Sequence, residues 1–144
     1  MTSASLLHGL AALASDLRAE HRPFAVVGGI AIAVRGEPRF TRDVDVCLSV
    51  RDDRDMEALV LAMRQRGYEV AALVEQEATG RLATVRLLAP TGLVTDLLAA
   101  SCGLEPEIVA RASVVEIPGA GALPVARPEE LLAMKLLSMS DARP

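Results

Sequence analysis

The chain has 144 residues, the usual size of one folded domain. It is 51% apolar, which excludes a disordered chain, and with two Phe, one Tyr and no Trp its core must be packed from Ala, Val, Leu, Ile and Met. A formal net charge of -4 excludes a protein that coats nucleic acid through a broad basic surface, while leaving room for a local basic patch beside an acidic site.

Residues 3–21 place Leu6, Leu7, Leu10, Leu13 and Leu17 three or four apart, which predicts an amphipathic helix ended by Pro23. Phe24 to Val27 is a short apolar run suited to a buried strand, broken by Gly28-Gly29. Ile30 to Val34 reads as a short helix, though its β-branched residues also suit a strand; Gly36 and Pro38 end it. Residues 43–50 alternate polar and apolar, the period of a strand. Over 53–66 a helix is predicted, with Met56, Leu59, Val60 and Met63 on one face and Gly67 as terminator.

Strands follow near 68–74, 81–88 and 93–99, the last two joined by the turn Pro90-Thr91-Gly92. Another strand is expected over 112–117, then a loop at Pro118 to Gly121 and an extended piece to Ala126. Pro128-Glu129-Glu130 opens a final helix to about residue 138, because Pro suits the first turn and acids complement the dipole there. With no repeat and no long linker, residues 1–144 read as a single α/β (α+β) domain with a mixed sheet flanked by helices.

Cys47 and Cys102 lack metal-finger spacing and are expected to be free thiols in a reducing cytosol. No charged start precedes an apolar run, and no uncharged stretch approaches the ~20 residues of a membrane span, so the expected location is cytoplasmic, with no membrane partner. Of the 15 basic residues only Lys135 is a lysine. Arginine suits bidentate phosphate contacts, but an Arg bias with many Ala also follows from GC-rich codons.

Chemistry concentrates in Val26-Val27-Gly28-Gly29-Ile30 and in the stretch Arg39-Phe40-Thr41-Arg42-Asp43-Val44-Asp45-Val46. On a strand, Asp43 and Asp45 project to one face with Cα atoms about 6.5–7 Å apart. Two like charges this close repel unless a cation or a proton lies between them. Mg²⁺ is a hard ion that takes carboxylate and phosphate oxygens, so an Asp-x-Asp strand can bridge protein and nucleotide. Val44, Val46 and Leu48 face the other way and anchor the strand. The glycine pair permits a sharp turn and a close ligand approach, and free N–H groups at a helix start favour phosphate. Thr41 adds a hydroxyl, and Arg39 or Arg42 a charge. No Walker loop and no G-x-G-x-x-G is present. Taken singly, the glycine pair is a common turn and the acid pair a common solvated face; their conjunction carries the reading.

Gly28-Gly29, a short helix, then Arg39-x-Thr41-x-Asp43-x-Asp45 resembles the signature of the nucleotidyltransferase superfamily, most of all the AbiEii-type members found among toxin–antitoxin and abortive-infection systems. The resemblance runs from residue 24 to about 139 and is most specific over 27–48. It implies a third carboxylate on a later strand, matched by Asp96 in Gly92-Leu-Val-Thr-Asp-Leu-Leu98, and a lysine on a late helix, matched by Lys135 in Leu131-Leu-Ala-Met-Lys-Leu136. An acid isolated in an apolar strand is itself costly unless paired or metal-bound. One departure is that relatives continue into an Arg-x-x-Asp-type segment and further helices, whereas this chain stops at Asp141-Ala-Arg-Pro144, as a shortened chain or a minimal version would.

The resemblance implies a nucleotidyltransferase that moves an NMP from an NTP to an acceptor hydroxyl or phosphate on RNA (tRNA among the candidates), a protein or a small molecule. Asp43, Asp45 and Asp96 are then the catalytic acids and the ligands of Mg²⁺ or Mn²⁺, with Lys135 beside them. Gly28, Gly29, Arg39 and Thr41 bind the nucleotide. The alternative is a non-catalytic domain of the same fold, an antitoxin or regulatory partner that binds a cognate toxin or antitoxin protein. A third possibility is a plain α/β domain whose acids only solvate an edge. His8 and His21 have no nucleophile to serve, and His21 suits a helix end. Cys47 shares the strand face of Asp43 and Asp45, where a small buried apolar role is expected.

Overall fold

The computed structural model describes residues 3–34 and 43–141, with side chains for 5–31 and 43–137. Arg39, Thr41 and Arg42 lie outside the described residues. The order is α1 (Ser3–Ala19), β1 (Phe24–Val27), α2 (Gly28–Val34), β2 (Val44–Leu48), α3 (Asp53–Gln65), β3 (Glu69–Glu75), β4 (Leu82–Leu88), β5 (Val94–Leu98), α4 (Glu105–Arg111), β6 (Ser113–Ile117), β7 (Gly121–Val125) and α5 (Pro128–Asp141). The strands form one seven-stranded sheet in the order β3-β4-β5-β2-β1-β7-β6. It is mixed: β2 runs parallel to β5 and β1 parallel to β7, while the other neighbours are antiparallel. The expected mixed α/β sheet flanked by helices is therefore the fold observed.

The alternation in β2 shows why its acids end up together. Val44, Val46 and Leu48 are fully buried in the larger core, with Val85 and Leu87 of β4, Leu97 of β5, Leu10, Leu13 and Leu17 of α1, and Met56, Leu59 and Met63 of α3. Burying each such side chain contributes about 2 kcal/mol, which pins the strand's register. The opposite face carries a smaller core of Ala25, Val27, Cys47, Ile108 and Ala126, against which Leu131 and Met134 of α5 pack. Helices α1 and α3 thus cover one face of the sheet, and α4 and α5 the other. Asp43 and Asp45 belong to the second face, at the end of β2 where α4 and the smaller core leave off.

Two elements differ from the sequence expectation. Helix α4 has no counterpart in it. Its signals are weak but present: Leu104 and Ile108 four apart, Pro106 in the first turn, and Glu105 and Glu107 beside it. It is held by Glu105, fully buried, whose carboxylate accepts the backbone N–H of Ser101, Cys102 and Gly103 at 2.8, 2.9 and 3.0 Å. The second difference is that α2 starts at Gly28 itself, so the glycine pair is the first turn of the helix rather than a break before it.

Candidate active site

Three register relations build the site. Asp45 pairs with Val27 across β1–β2 and with Asp96 across β2–β5, and Asp96 pairs with Arg86 across β5–β4. One rung of the sheet therefore reads Arg86, Asp96, Asp45, Val27. Neighbours on a rung are about 4.8 Å apart and point to the same face. Asp43 stands two residues before Asp45, just ahead of β2. The reverse face of the rung is locked by Thr95, fully buried, whose hydroxyl donates to the Val44 carbonyl at 2.8 Å. Asp43, Asp45 and Asp96, singled out by sequence, are thus brought to one end of one sheet face.

Gly28 has a demand on it beyond a turn. Its φ is +72°, and a Cβ there would lie 2.5 Å from Asp45 Oδ2 and 3.2 Å from Asp45 Cβ. Only glycine accepts both the left-handed conformation and that approach. The residue therefore shapes the space in which the Asp45 carboxylate sits. Gly29 follows it, half-buried.

The charges are unevenly matched. Arg86 grips Asp96 with a two-pronged pair, Nε to Oδ1 at 2.9 Å and Nη2 to Oδ2 at 3.1 Å, and its Nη2 lies 3.7 Å from Asp43 Oδ2. Sequence reasoning passed over Arg86, although the two strands and the turn between them were all expected: counting outward from Thr91 pairs 86 with 96. The acids raise Arg86 above the ordinary guanidinium range, Asp96 foremost through its hydrogen bonds. Asp45 is pushed from 3.8 up to about 6, first by burial and then by the charges of Asp96 and Asp43, with Arg86 only partly offsetting them. A carboxylate held near 6 among other carboxylates marks a surplus of negative charge.

That surplus is the test of whether a divalent cation suits these residues. Asp43 and Asp45 supply hard oxygen donors on one face, and a cation between them would offset both the burial and the acid charges that lift Asp45. The third acid is not drawn into a common cluster: among the described residues no group of three or more His, Cys, Asp or Glu converges closely enough to hold a metal ion. Asp96 is turned to Arg86 instead. Asp43 and Asp45 are therefore the residues that would hold a cation, with Asp96 adjacent on the rung.

The remaining expected residues make no ion pair with the three acids among the described residues. Lys135 is exposed on α5 and takes no part in the acid cluster's ion pairs among the described residues. Cys47 is fully buried in the smaller core, with burial pushing its thiol far up, so it packs rather than reacts. Cys102 is a free thiol raised to about 11, chiefly by burial. No helix among the described residues is long and apolar enough to cross a membrane.

The sequence profile of the family described as "Nucleotidyl transferase AbiEii toxin, Type IV TA system" matches residues 11–144. No curated protein sequence matches significantly. Among solved structures, a Thermotoga maritima protein assigned as a nucleotidyltransferase superposes with a TM-score of 0.64 at 16% identity, over 99% of this chain and 91% of that one. ANT(2'')-Ia in complex with adenylyl-2''-tobramycin gives 0.59 at 18% identity, over 100% and 80%. An antigenic nucleotidyltransferase-like protein from Paracoccidioides brasiliensis gives 0.57 at 23% identity, over 99% and 70%. At these identities the likeness is one of fold.

Proposed function

The chain belongs to the AbiEii nucleotidyl transferase family, and from that premise we propose that it transfers an NMP from an NTP to an acceptor, with Asp43 and Asp45 holding Mg²⁺ or Mn²⁺. The observation that carries the proposal is the acid rung: half-buried Asp45 stands beside Asp96 of β5 and two residues from Asp43, with burial first and these two charges next lifting its carboxyl to about 6. A fold does not by itself keep such a group; a cation-binding role explains it. When bound, a divalent cation would neutralise the triphosphate and polarise its α-phosphorus.

The chain's own residues do the rest. Asp43 and Asp45 are the residues that would hold that ion beside the triphosphate. Gly28 and Gly29, at the start of α2, are assigned to the phosphates on the family resemblance. Arg39 and Thr41 are assigned to the nucleotide on the family resemblance. The acceptor oxygen attacks the α-phosphorus, the bond to the β-phosphate oxygen breaks, and pyrophosphate leaves with the electron pair. Asp96 is the carboxylate assigned to take the acceptor proton. Lys135, the match to the family's late-helix lysine, is kept as a catalytic candidate on the resemblance alone. Positioning and electrostatics supply the acceleration, as in other phosphoryl and nucleotidyl transfers.

The acceptor hydroxyl or phosphate is on an RNA such as tRNA, on a protein or on a small molecule. ANT(2'')-Ia, which shares the fold, is solved in complex with adenylyl-2''-tobramycin. As a family of toxins in type IV systems, the relatives also imply a cognate antitoxin partner. The test is transfer of label from each α-³²P NTP, with Mg²⁺, to cellular RNA or protein. Label is expected with the native chain and is lost in Asp43→Asn and Asp45→Asn. Undiminished labelling in both variants would sink the proposal. Co-purification with a partner protein and no Mg²⁺-dependent NTP binding would select the non-catalytic antitoxin-like alternative.

A further inference from the structure

We propose that Arg86 is a resident counter-cation that competes with a divalent cation for Asp96, so that the third carboxylate joins the site only when Arg86 lets go. The inference rests on the metal-dependent reading above and concerns how that site is regulated.

Asp96 is the middle member of its rung, with Arg86 on one side and Asp45 on the other. Both of its oxygens are taken by the guanidinium, at 2.9 and 3.1 Å. A carboxylate engaged in this fork cannot also turn an oxygen to an ion shared with Asp45. The same guanidinium reaches Asp43 at 3.7 Å, so it places positive charge beside two of the three carboxylates that an incoming cation would use. An arginine cannot shed that charge by deprotonation, so only movement releases Asp96. Movement is open to it: the Arg86 side chain is 44% exposed, and its hydrogen bonds and ion pairs among the described residues run to Asp96 and Asp43.

A triphosphate offers Arg86 another anionic partner of matching fork geometry. Nucleotide arrival and recruitment of Asp96 are therefore coupled: the first cation sits on Asp43 and Asp45, and the full acid set assembles after Arg86 has moved. This differs from a permanent three-acid site in the order of events and in the charge that the empty site presents.

Mn²⁺ binding, followed by the loss of the free-ion electron paramagnetic resonance signal, tests this without turnover. Arg86→Gln is expected to bind Mn²⁺ about tenfold more tightly than the native chain, or to take up a second ion, since a unit positive charge has left the site. Arg86→Lys keeps the charge but loses the fork, and its gain should be smaller. Asp96→Asn should change native Mn²⁺ affinity less than twofold, yet cancel the gain when combined with Arg86→Gln. Circular dichroism melting checks that each variant is folded, and Arg86→Lys carries the comparison if the glutamine variant is not. Native-like affinity in both Arg86 variants would overturn the role of Arg86 while leaving the metal site standing, as would loss of affinity in Asp96→Asn alone. Absence of Mn²⁺ binding in every form would overturn the metal reading and this inference together.

Discussion

Asp45 lies at the start of β2 and Asp55 ten positions on in the first turn of α3, past the strand's other end, and their surroundings move them in opposite directions. Asp55, in the first turn of α3, is buried and fully served. It accepts the Arg51 amide at 3.1 Å and pairs with the Arg22 guanidinium, while its own N–H donates to the capping carboxylate of Asp52 at 2.9 Å. The Arg51 amide, with Arg22 next, holds its carboxyl below the ordinary range. Asp45 is set among acids and lifted to about 6. One end of the strand spends a carboxylate on tying α3 to the turn before β1. The other end keeps a carboxylate whose ionisation is opposed first by burial and then by its acid neighbours. Satisfied acids hold folds together, whereas crowded ones mark where something else is meant to bind.

The largest expected difference between the two ends is in activity. Asp45→Asn should lower nucleotidyl transfer by about a thousandfold or more, the scale for losing a group that positions catalytic charge, with a melting temperature equal to or above the native one. Asp55→Asn should leave transfer within about twofold yet cost about 2 kcal/mol, from a weakened partly buried pair and lost acceptors. Denaturant unfolding of both variants separates the effects; a destabilised Asp45→Asn with native activity would erase the contrast.

Gly28→Ala comes next, because it disturbs the crowded end through sterics alone. The left-handed φ of +72° and the 2.5 Å approach to Asp45 Oδ2 should together cost about 1–2 kcal/mol and displace that carboxylate. Both stability and transfer should fall, unlike in either Asp variant.

The pH dependence separates the two ends by sign. Asp45 binds its proton more tightly in the folded chain, about 6 against an ordinary 3.8, so without metal its contribution makes folding more favourable as pH falls from about 7 to 4. Asp55 binds its proton less tightly when folded, so its stabilisation is complete above 3.8 and is lost as pH falls through its depressed value. Melting curves over this range should lose the first trend in Asp45→Asn and keep it in Asp55→Asn. The smallest effect belongs to a bond remote from both ends. Tyr68 donates to Asp16 at 2.7 Å, and Tyr68→Phe should cost about 1 kcal/mol with no change in transfer.

The two ends also differ in how far the sequence discloses them. Asp43 and Asp45 are legible because strand periodicity puts them on one face and a glycine pair precedes them. Asp96 is legible as a lone acid in an apolar run. Arg86 and its hold on Asp96 needed the hairpin register, which the turn at Thr91 implies but spacing within one strand does not. Asp55 is less visible still. Its partner Arg22 is 33 positions away, across a turn that only the packing of α1 and α3 on the sheet brings close. Helix α4 escaped because its pattern is a mere two apolar positions, and its anchor, Glu105, works through three backbone amides that have no sequence signature. Local periodicity discloses faces; long-range partners must be seen.

On the proposed function, Asp43 and Asp45 hold the cation that brings in the nucleotide. Thermal unfolding with and without Mg²⁺ and each NTP reads this out, because a ligand bound only to the folded chain raises its melting temperature. An Mg²⁺-dependent rise with at least one NTP is expected in the native chain, with an equal rise in Asp55→Asn from its lower starting point and none in Asp45→Asn. An undiminished rise in Asp45→Asn would rule out that role for the acid pair.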